Sequence, residues 1–314
     1  MKAAVVTRFG QPPRYQEFPT PKPEGPNEVL AEVVAAALSP RVRSQAAGSH
    51  YTSADELPLI PGIDGVGRTP DGRLRYFLLP DTTLGSMAER AVIDVRRSVA
   101  LPKGADPIRV AAAMNPAMSS WVALRRRATF RPGQSVLVLG ATGNAGRMAV
   151  QVARRLGADR IVAVGRGADR ISGLADTVVS LDGDRETVAE NLGEAGKEVD
   201  VVLDYLWGQP TADAMRAIIP RRVDDGQELS WIQIGSVAGL ESPIPSAALR
   251  ATRLQLVGSG QGSVDAGDIR DEVAALAKEI VKGTFALETR AVPLAEVEGA
   301  WADTSSPERI VIVP

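Results

Sequence analysis

Glycines at every third position follow a short apolar run near the middle of the chain. Residues 135–139 read SVLVL, a pattern typical of a strand buried on both faces, and they lead into Gly140, Gly143 and Gly146. An amphipathic helix is predicted to follow over about 145–156. Glycine permits the sharp turn and lets a pyrophosphate approach the backbone, while N–H groups at a helix N-terminus bind phosphate. The pattern therefore predicts a dinucleotide-binding loop; a ligand-free turn between strand and helix is the alternative.

The residues after the second predicted strand, 161–164, bear on which dinucleotide binds. An acidic side chain there would bind the ribose 2′-hydroxyl of NAD. This chain instead has Gly165, Arg166 and, nearby, Arg170. Two guanidinium groups suit a 2′-phosphate, which accepts charge-assisted bidentate hydrogen bonds. We therefore predict NADPH as the cofactor; the alternative is that both arginines are solvated surface groups.

Few side chains outside this loop could act as an acid or a base. Tyr51, in a predicted loop, could donate a proton or hydrogen-bond a carbonyl oxygen, or it could only pack through its ring. His50 is more typical of a surface or structural residue. Asp64 stands in a glycine-rich bend over 61–67 and is either catalytic or a turn cap. Three tryptophans could line a pocket or pack in a core: Trp207, Trp231 and Trp301.

Composition narrows the chemistry further. The 314 residues include no cysteine and one histidine, which excludes disulfides, thiolate catalysis and cysteine-containing zinc sites. With 36 Lys+Arg against 38 Asp+Glu, the charge gives no argument for nucleic acid or anionic lipid as a partner. No apolar stretch approaches the roughly 18 residues of a membrane helix, and the first residues do not resemble a signal peptide. We expect a cytoplasmic protein that binds neither nucleic acid nor membrane.

The elements that must position these groups follow two patterns. Six prolines between positions 12 and 26 exclude a long helix there, and short strand-like runs surround them. Helical patterns follow through Ala113 and over 119–128, with a break expected at Asn115 and Pro116. Beyond position 135, strands and helices alternate, which predicts a parallel, doubly wound sheet. A helix over 269–282 and a strand over 309–313 close the chain.

The order of these motifs resembles the medium-chain dehydrogenase/reductase superfamily and is similar to its zinc-independent quinone oxidoreductase branch. The resemblance covers nearly the whole chain and is most specific over 132–158. The motifs that carry it are PGIDG at 61–65, VLVLGATGNAG at 136–146, AVQVARRLGA at 149–158, VDVVLD at 199–204 and RIVIV at 309–313. The resemblance implies an α/β fold in which a GroES-like, β-rich catalytic lobe (1–117 with 257–314) contains an inserted Rossmann domain (118–256).

The resemblance also implies which residues meet the cofactor and the substrate. Ser39 and Ser119 are implied contacts, with Ser119 near the nicotinamide, and Tyr51 aligns with a tyrosine of the substrate pocket. The remaining implied cofactor contacts are Gly140, Ala141, Thr142, Gly143, Asn144, Ala145, Gly146, Gly165, Arg166, Arg170, Gly235, Ser236, Gly258 and Ser259. A homodimer through edge strands near 254–258 is expected as well.

Two departures from the zinc-dependent members point to a metal-free site. Ser39 and Ile63 stand at two positions of the catalytic zinc ligands, and the absence of cysteine removes the structural zinc site too. We therefore expect NADPH-dependent reduction of a small carbonyl substrate such as a quinone, enone or alkenal, with Tyr51 and Ser39 as hydrogen-bond donors to the substrate oxygen.

Two alternatives remain at this point. One is a non-catalytic NADP-binding redox sensor or an inactive homologue. The other is an NmrA-like short-chain dehydrogenase, although no tyrosine here has lysine four residues later.

Overall fold

The computed structural model describes residues 1–50, 53, 56–260, 262–304, 306 and 308–314, so Tyr51 lies outside the described residues. The chain forms two compact units. The flanking unit comprises Met1–Asn115 and Arg270–Pro314, and the inserted unit comprises Pro116–Ile269. The sequence predicts a slightly shorter insertion, over 118–256.

Strands and helices both contribute to each unit. The strands are β1 (Lys2–Val5), β2 (Arg14–Glu17), β3 (Glu28–Ala37), β4 (Asp64–Arg68), β5 (Leu74–Leu78), β6 (Arg90–Asp94), β7 (Ser98–Ala100), β8 (Val136–Leu139), β9 (Ile161–Gly165), β10 (Thr177–Ser180), β11 (Val201–Asp204), β12 (Leu229–Gln233), β13 (Leu254–Gly258), β14 (Thr289–Pro293) and β15 (Arg309–Val313). The helices are α1 (Pro40–Ala46), α2 (Pro107–Val122), α3 (Asn144–Arg155), α4 (Arg185–Gly196), α5 (Gly208–Ile218), α6 (Ala248–Ala251), α7 (Ala266–Val281) and α8 (Val297–Ala302). None of these helices is both long enough and apolar enough to cross a membrane.

The flanking unit is built on a largely antiparallel sheet. Its strand order is β14-β15-β3-β4-β5-β7, with β6 also paired to β3 and a separate β1-β2 pair. The C-terminal strand β15 pairs with β3 through Val311 opposite Ala37, which ties the end of the chain to its beginning. Apolar side chains from both ends of the chain, among them Phe77, Ile93 and Ile312, form one core.

The glycine-rich stretch before position 67 is not only a bend, because its second half is strand β4. Glycine is required here by close packing: a Cβ on Gly65 would lie 2.9 Å from the carbonyl oxygen of Ala35 and 3.0 Å from the ring of Phe77. Sequence reasoning takes these glycines as turn signals. They instead allow two strands and an aromatic ring to approach each other.

The helix break expected at Asn115 and Pro116 is wrong, because α2 runs through Pro116. A π-helical turn, Ala123–Arg127, continues it. A proline inside a helix removes one hydrogen bond and clashes with the preceding turn. Val110, Met114 and Leu124 are nevertheless almost completely buried, and the burial of this helix outweighs that local cost.

The inserted unit is a six-stranded parallel sheet with the order β10-β9-β8-β11-β12-β13. Every residue of β8, β9 and β11 is buried. The apolar sequences of β8 and β9 predict this, and β11 is apolar up to its last residue, Asp204. The strand order reverses between β8 and β11, and ligands of such sheets bind outside the carboxyl ends of the strands at this position. The predicted doubly wound sheet is confirmed.

Candidate functional site

The carboxyl edge of the parallel sheet gathers the sequence-predicted cofactor residues of the inserted unit. Gly140 follows β8, Gly165 ends β9, Gly235 follows β12 and Gly258 ends β13. All six strands run in the same direction, so these ends lie along one edge of the sheet. Residues separated by more than a hundred positions in sequence thereby lie along the edge at which doubly wound sheets bind their ligands.

The three glycines of the loop after β8 have different structural roles. Gly140 adopts a φ of 96°, in the region that favours glycine, and makes the turn out of the strand. A Cβ on Gly146 would lie 2.2 Å from the carbonyl oxygen of Gly140, so this glycine is required by close packing of α3 on the loop. A Cβ on Gly143 would meet only that same oxygen, at 3.8 Å. The backbone is therefore left open at the point where a phosphate would approach.

The N-terminus of α3 has the donors that a pyrophosphate needs. Gly143 is its N-cap and provides no side-chain acceptor, and the helix contains no acidic residue in its first turn. The first backbone N–H groups of any helix, here those of Asn144, Ala145 and Gly146, lack intrahelical partners and carry the positive end of the helix dipole. This loop and helix fit the phosphates of a dinucleotide.

Guanidinium groups surround the end of β9. Arg166 and Arg170 are exposed, on either side of Gly167, which adopts a φ of 63°. Arg147, in the first turn of α3, donates from Nη2 to the carbonyl oxygen of Arg170. Its Nε is buried and has no partner among the described residues. Sequence reasoning missed Arg147, although its position directly after the third glycine was a usable signal.

Two carboxylates accompany these arginines: Asp169, which is exposed between Arg166 and Arg170 in the sequence, and Asp182. The N–H of Gly167 donates to Asp182 at 2.7 Å, so this backbone donor is already used by the protein. The arginine side chains, rather than the N–H of Gly167, are the groups that could meet a 2′-phosphate here.

Ser119 and Tyr205 meet beside the carboxyl end of β11. The Ser119 Oγ lies 3.0 Å from the Tyr205 hydroxyl. Tyr205 is buried and directly follows β11, whereas Ser119 on α2 is partly exposed. Burial raises the pKa of Tyr205 to about 12, against the lowering effect of hydrogen bonds with Ser119 and Ser120. Sequence reasoning considered Tyr205 only as a tyrosine without a following lysine.

Asp204, at the end of β11, fixes the turn that leads from this strand into α5. Its buried carboxylate accepts hydrogen bonds from the N–H groups of Leu206 and Trp207, at 2.9 and 3.0 Å. It also accepts from Thr211 Oγ1 at 2.5 Å and from Trp231 Nε1 at 3.0 Å. These bonds hold a turn in which Trp207 adopts a φ of 55°, a conformation rare outside glycine. Trp231 is therefore a core residue, while Trp207 is partly exposed beside the crevice.

The last two predicted cofactor segments follow β12 and end β13. The N–H of Gly235 donates to the carbonyl oxygen of Asp204 at 3.1 Å, and a Cβ there would lie 2.7 Å from the carbonyl oxygen of Tyr205. Ser236 is exposed. The N–H of Ser259 donates to the carbonyl oxygen of Gln233 at 2.8 Å, and Gly258 is exposed.

Ser39 belongs to the flanking unit, where it is the buried N-cap of α1. Its Oγ accepts from the N–H of Val42 at 3.1 Å. The capping bond uses the oxygen as an acceptor, so the hydroxyl proton remains a donor. Trp301 packs under Arg43, whose guanidinium carbon lies 5.3 Å from the ring centre.

Two titratable groups of the flanking unit have strongly perturbed pKa values. Burial lowers the pKa of His50 to about 4, and the positive charge of Arg41 contributes. Burial raises the pKa of Asp64 to about 6, although the Tyr76 hydroxyl donates to it at 2.6 Å and Arg309 favours its ionised form. Asp64 is thus part of a buried network rather than a turn cap.

In the part of the chain that the structure describes, no cluster of three or more His, Asp or Glu side chains could hold a metal ion.

Known proteins resemble this chain in sequence and in fold. A "Probable NADPH-dependent quinone reductase" from Emericella nidulans is 31% identical, with 100% of both chains covered. The quinone oxidoreductase from Thermus thermophilus, solved alone and with NADPH, superposes with a TM-score of 0.82 at 26% identity, again covering 100% of both chains. A chloroplastic NADPH-dependent alkenal/one oxidoreductase from Arabidopsis thaliana is 25% identical over 69% of this chain and 65% of its own.

No family model matches the sequence. The full-length identity to the Emericella protein and the shared fold are sufficient to assign the family without such a match. The chain belongs to the zinc-independent quinone oxidoreductase branch of the medium-chain dehydrogenase/reductase superfamily.

Proposed function

We propose that this protein reduces a quinone, enone or alkenal with NADPH and without a metal ion. The observation that carries the proposal is the glycine loop with its uncapped helix N-terminus beside three arginines, in a chain whose relatives are NADPH-dependent quinone and alkenal reductases. NADPH, when bound, supplies the hydride that reduces the carbon conjugated with the substrate carbonyl.

The inserted unit provides the cofactor contacts. The first N–H groups of α3 would bind the pyrophosphate, and the open backbone at Gly143 lets it approach. Arg166 and Arg170 would bind the 2′-phosphate, with Arg147 as a third cation on the neighbouring helix. The segments at Gly235–Ser236 and Gly258–Ser259 complete the crevice on the nicotinamide side.

The flanking unit provides hydrogen-bond donors for the substrate. Negative charge that develops on the substrate oxygen must be stabilised by donors, because this chain has no cysteine and only one histidine to hold a metal. The Ser39 hydroxyl can donate, since its oxygen accepts the capping bond. Tyr51 is the second proposed donor and the proposed source of the proton.

Turnover of NADPH with a panel of quinones, enones and alkenals tests the function. We expect consumption of NADPH with at least one class, and no effect of EDTA. Binding of NADPH without turnover of any member would favour a redox sensor instead. Activity that EDTA abolishes would contradict the metal-free mechanism.

The arginines are tested by cofactor preference. Arg166→Ala should weaken NADPH binding by about tenfold or more and NADH binding little, because only NADPH carries the 2′-phosphate. Arg131→Ala, which removes an exposed arginine before the amino end of β8, at the opposite end of that strand from the loop, is the matched control. Equal losses for the two cofactors would contradict the assignment.

We further propose a homodimer that forms through β13. This strand is the last of the sheet order and pairs with β12 on one side, and its Leu254 and Leu256 are partly exposed. An edge strand offers unpaired backbone groups to a second copy. Light scattering should give the mass of two chains; a monomer at assay concentrations would contradict it. A cytoplasmic location also stays a prediction.

A further inference from the structure

The backbone of Trp207 adopts a conformation that suits glycine. Among the described residues, Trp207 is the only one other than glycine with a positive φ; its φ is 55° and its ψ is −165°. A Cβ in this region crowds the neighbouring backbone, so only glycine adopts it without strain. Gly208, the next residue, has a φ of 67° and belongs to the same turn. The chain therefore carries a tryptophan at a position whose backbone favours glycine.

The turn keeps this conformation because contacts on two sides fix its backbone. On the side of β11, Asp204 accepts the N–H of Trp207 at 3.0 Å. On the other side lies the segment after β12, where the N–H of Ala238 donates to the carbonyl oxygen of Leu206 at 2.8 Å. A Cβ on Gly208 would lie 2.7 Å from the carbonyl oxygen of Ala238, so the two segments pack closely. Strain of this kind persists where the surroundings over-determine the backbone, and it clusters at ligand sites.

Core packing explains the neighbouring tryptophan but not this one. The Trp231 side chain is completely buried, and its Nε1 donates to Asp204 at 3.0 Å. The Trp207 side chain is partly exposed, and no described residue accepts a hydrogen bond from its Nε1. A partly exposed ring with an unused N–H on a strained turn is typical of a binding residue rather than a packing one.

Two more apolar side chains are exposed on the segment that contacts the turn. Val237 is 83% exposed and Leu240 is 85% exposed. They lie on either side of Ala238, which bonds the turn, beyond the carboxyl ends of β11 and β12. Ligands of doubly wound sheets bind outside these strand ends, and exposed apolar groups at such a place mark a binding surface. Trp207, Val237 and Leu240 thus form an apolar surface at the edge where the proposed cofactor binds.

We propose that Trp207 is a specificity-determining residue whose indole stacks on a planar conjugated ring of the substrate. Val237 and Leu240 supply apolar contacts beside the ring. Offset stacking of two π systems adds to the free energy gained by burying apolar area, whereas a short aliphatic alkenal has no ring to cover the indole. The protein should therefore prefer ring-shaped quinones to short alkenals. This inference rests on the proposed reduction of conjugated carbonyl substrates with NADPH and narrows its substrate class.

Substrate preference measures the role of the indole. The ratio of kcat/KM for 1,4-naphthoquinone to kcat/KM for 2-hexenal is compared between the wild type and its variants. Trp207→Gly keeps the turn, because glycine adopts this φ without strain, and it should lower the ratio by about fivefold. Trp207→Phe keeps an aromatic ring and should stay within about twofold of the wild-type ratio.

Trp207→Leu is the matched control. It keeps an apolar side chain and the strain of a Cβ but has no π system, so it should lower the ratio nearly as much as glycine does. A leucine variant with the wild-type ratio would overturn the stacking role. Equal losses for the two substrates in the glycine variant would overturn it as well, because they would show that Trp207 acts only through the turn or through an interface between two copies of the chain.

A binding measurement keeps the test independent of turnover. With NADP⁺ in place of NADPH, 1,4-naphthoquinone receives no hydride, and calorimetry gives its Kd for the wild type and for Trp207→Gly. The glycine variant should bind it about fivefold more weakly. Such a difference without any turnover would contradict the proposed function and support this inference. Turnover of 2-hexenal without detectable binding of 1,4-naphthoquinone would do the reverse.

Discussion

Asp64 in the flanking unit and Asp204 in the inserted unit are both buried carboxylates, yet different groups surround them. Asp204 accepts four hydrogen bonds, from two backbone N–H groups, a threonine and a tryptophan. Asp64 accepts a hydrogen bond from the Tyr76 hydroxyl, and the positive charges of Arg309 and Arg41 favour its ionised form. The first carboxylate is surrounded by neutral donors, and the second has a charged neighbour in the core of a β sheet.

The comparison shows how the position on a strand determines the environment of a buried charge. Asp204 ends a parallel strand, where the turn into α5 supplies backbone donors that have no other acceptor. Asp64 begins an antiparallel strand, where the backbone groups are used in strand pairing. The free-energy cost of burying a charged carboxylate is therefore only partly offset at Asp64, and its pKa rises to about 6.

The largest effect is expected from Asp204→Ala. Four donors would lose their acceptor inside the fold, so the free energy of unfolding should fall by about 3–5 kcal/mol. NADPH binding should weaken too, because the turn with Trp207 lines the crevice. Chemical denaturation measures the loss. Asp159→Ala, at an exposed position of the same unit, is the control and should change little; comparable losses would show that Asp204 is not the organising residue.

A pH-dependent effect is expected from Asp64→Asn. The raised pKa of Asp64 means that the folded state favours the protonated acid, so its contribution to stability is full below about pH 4 and is lost as the pH rises through about 6. Asparagine has no such loss. The unfolding free energy of the variant relative to wild type should therefore rise by about 2 kcal/mol between pH 4 and pH 7. A difference that stays constant over this range would contradict the raised pKa.

A smaller effect is expected when each carboxylate loses one aromatic donor. Trp231→Phe removes one of the four donors to Asp204 and should lower the free energy of unfolding by about 1–2 kcal/mol.

Tyr76→Phe removes a bond that favours ionised Asp64, so the loss of unfolding free energy should be greater at pH 7 than at pH 4. Unfolding curves at the two pH values measure this. An equal cost at both would show that the Tyr76 bond does not stabilise the ionised form.

The sequence was most informative where local patterns decide the structure. The apolar runs of β8, β9 and β11 and the glycine spacing after β8 identified the parallel sheet and its cofactor loop. These signals depend on neighbours a few residues away, so they are visible in one dimension. Patterns that packing can override gave the errors: α2 continues through Pro116, and β4 contains glycines that pack against Ala35 and Phe77.

The candidate site was predicted only in part for the same reason. The glycine loop and Arg166 are local features, but Ser119 and Tyr205 are 86 residues apart. The four bonds to Asp204 likewise join a strand end to a turn, a helix and the neighbouring strand. No spacing rule connects such residues, because the contact exists only after the sheet has formed.

The order of residues along the chain is enough to establish the class of fold and the exclusion of cysteine-based zinc chemistry, and it predicts the dinucleotide loop. Packing in three dimensions determines which side chains share the crevice, which hydroxyl donates to which, and that two aspartates are buried in different surroundings. Periodicity and glycine spacing act through the local backbone, whereas hydrogen bonds between distant residues and the pKa shifts caused by burial arise only from packing.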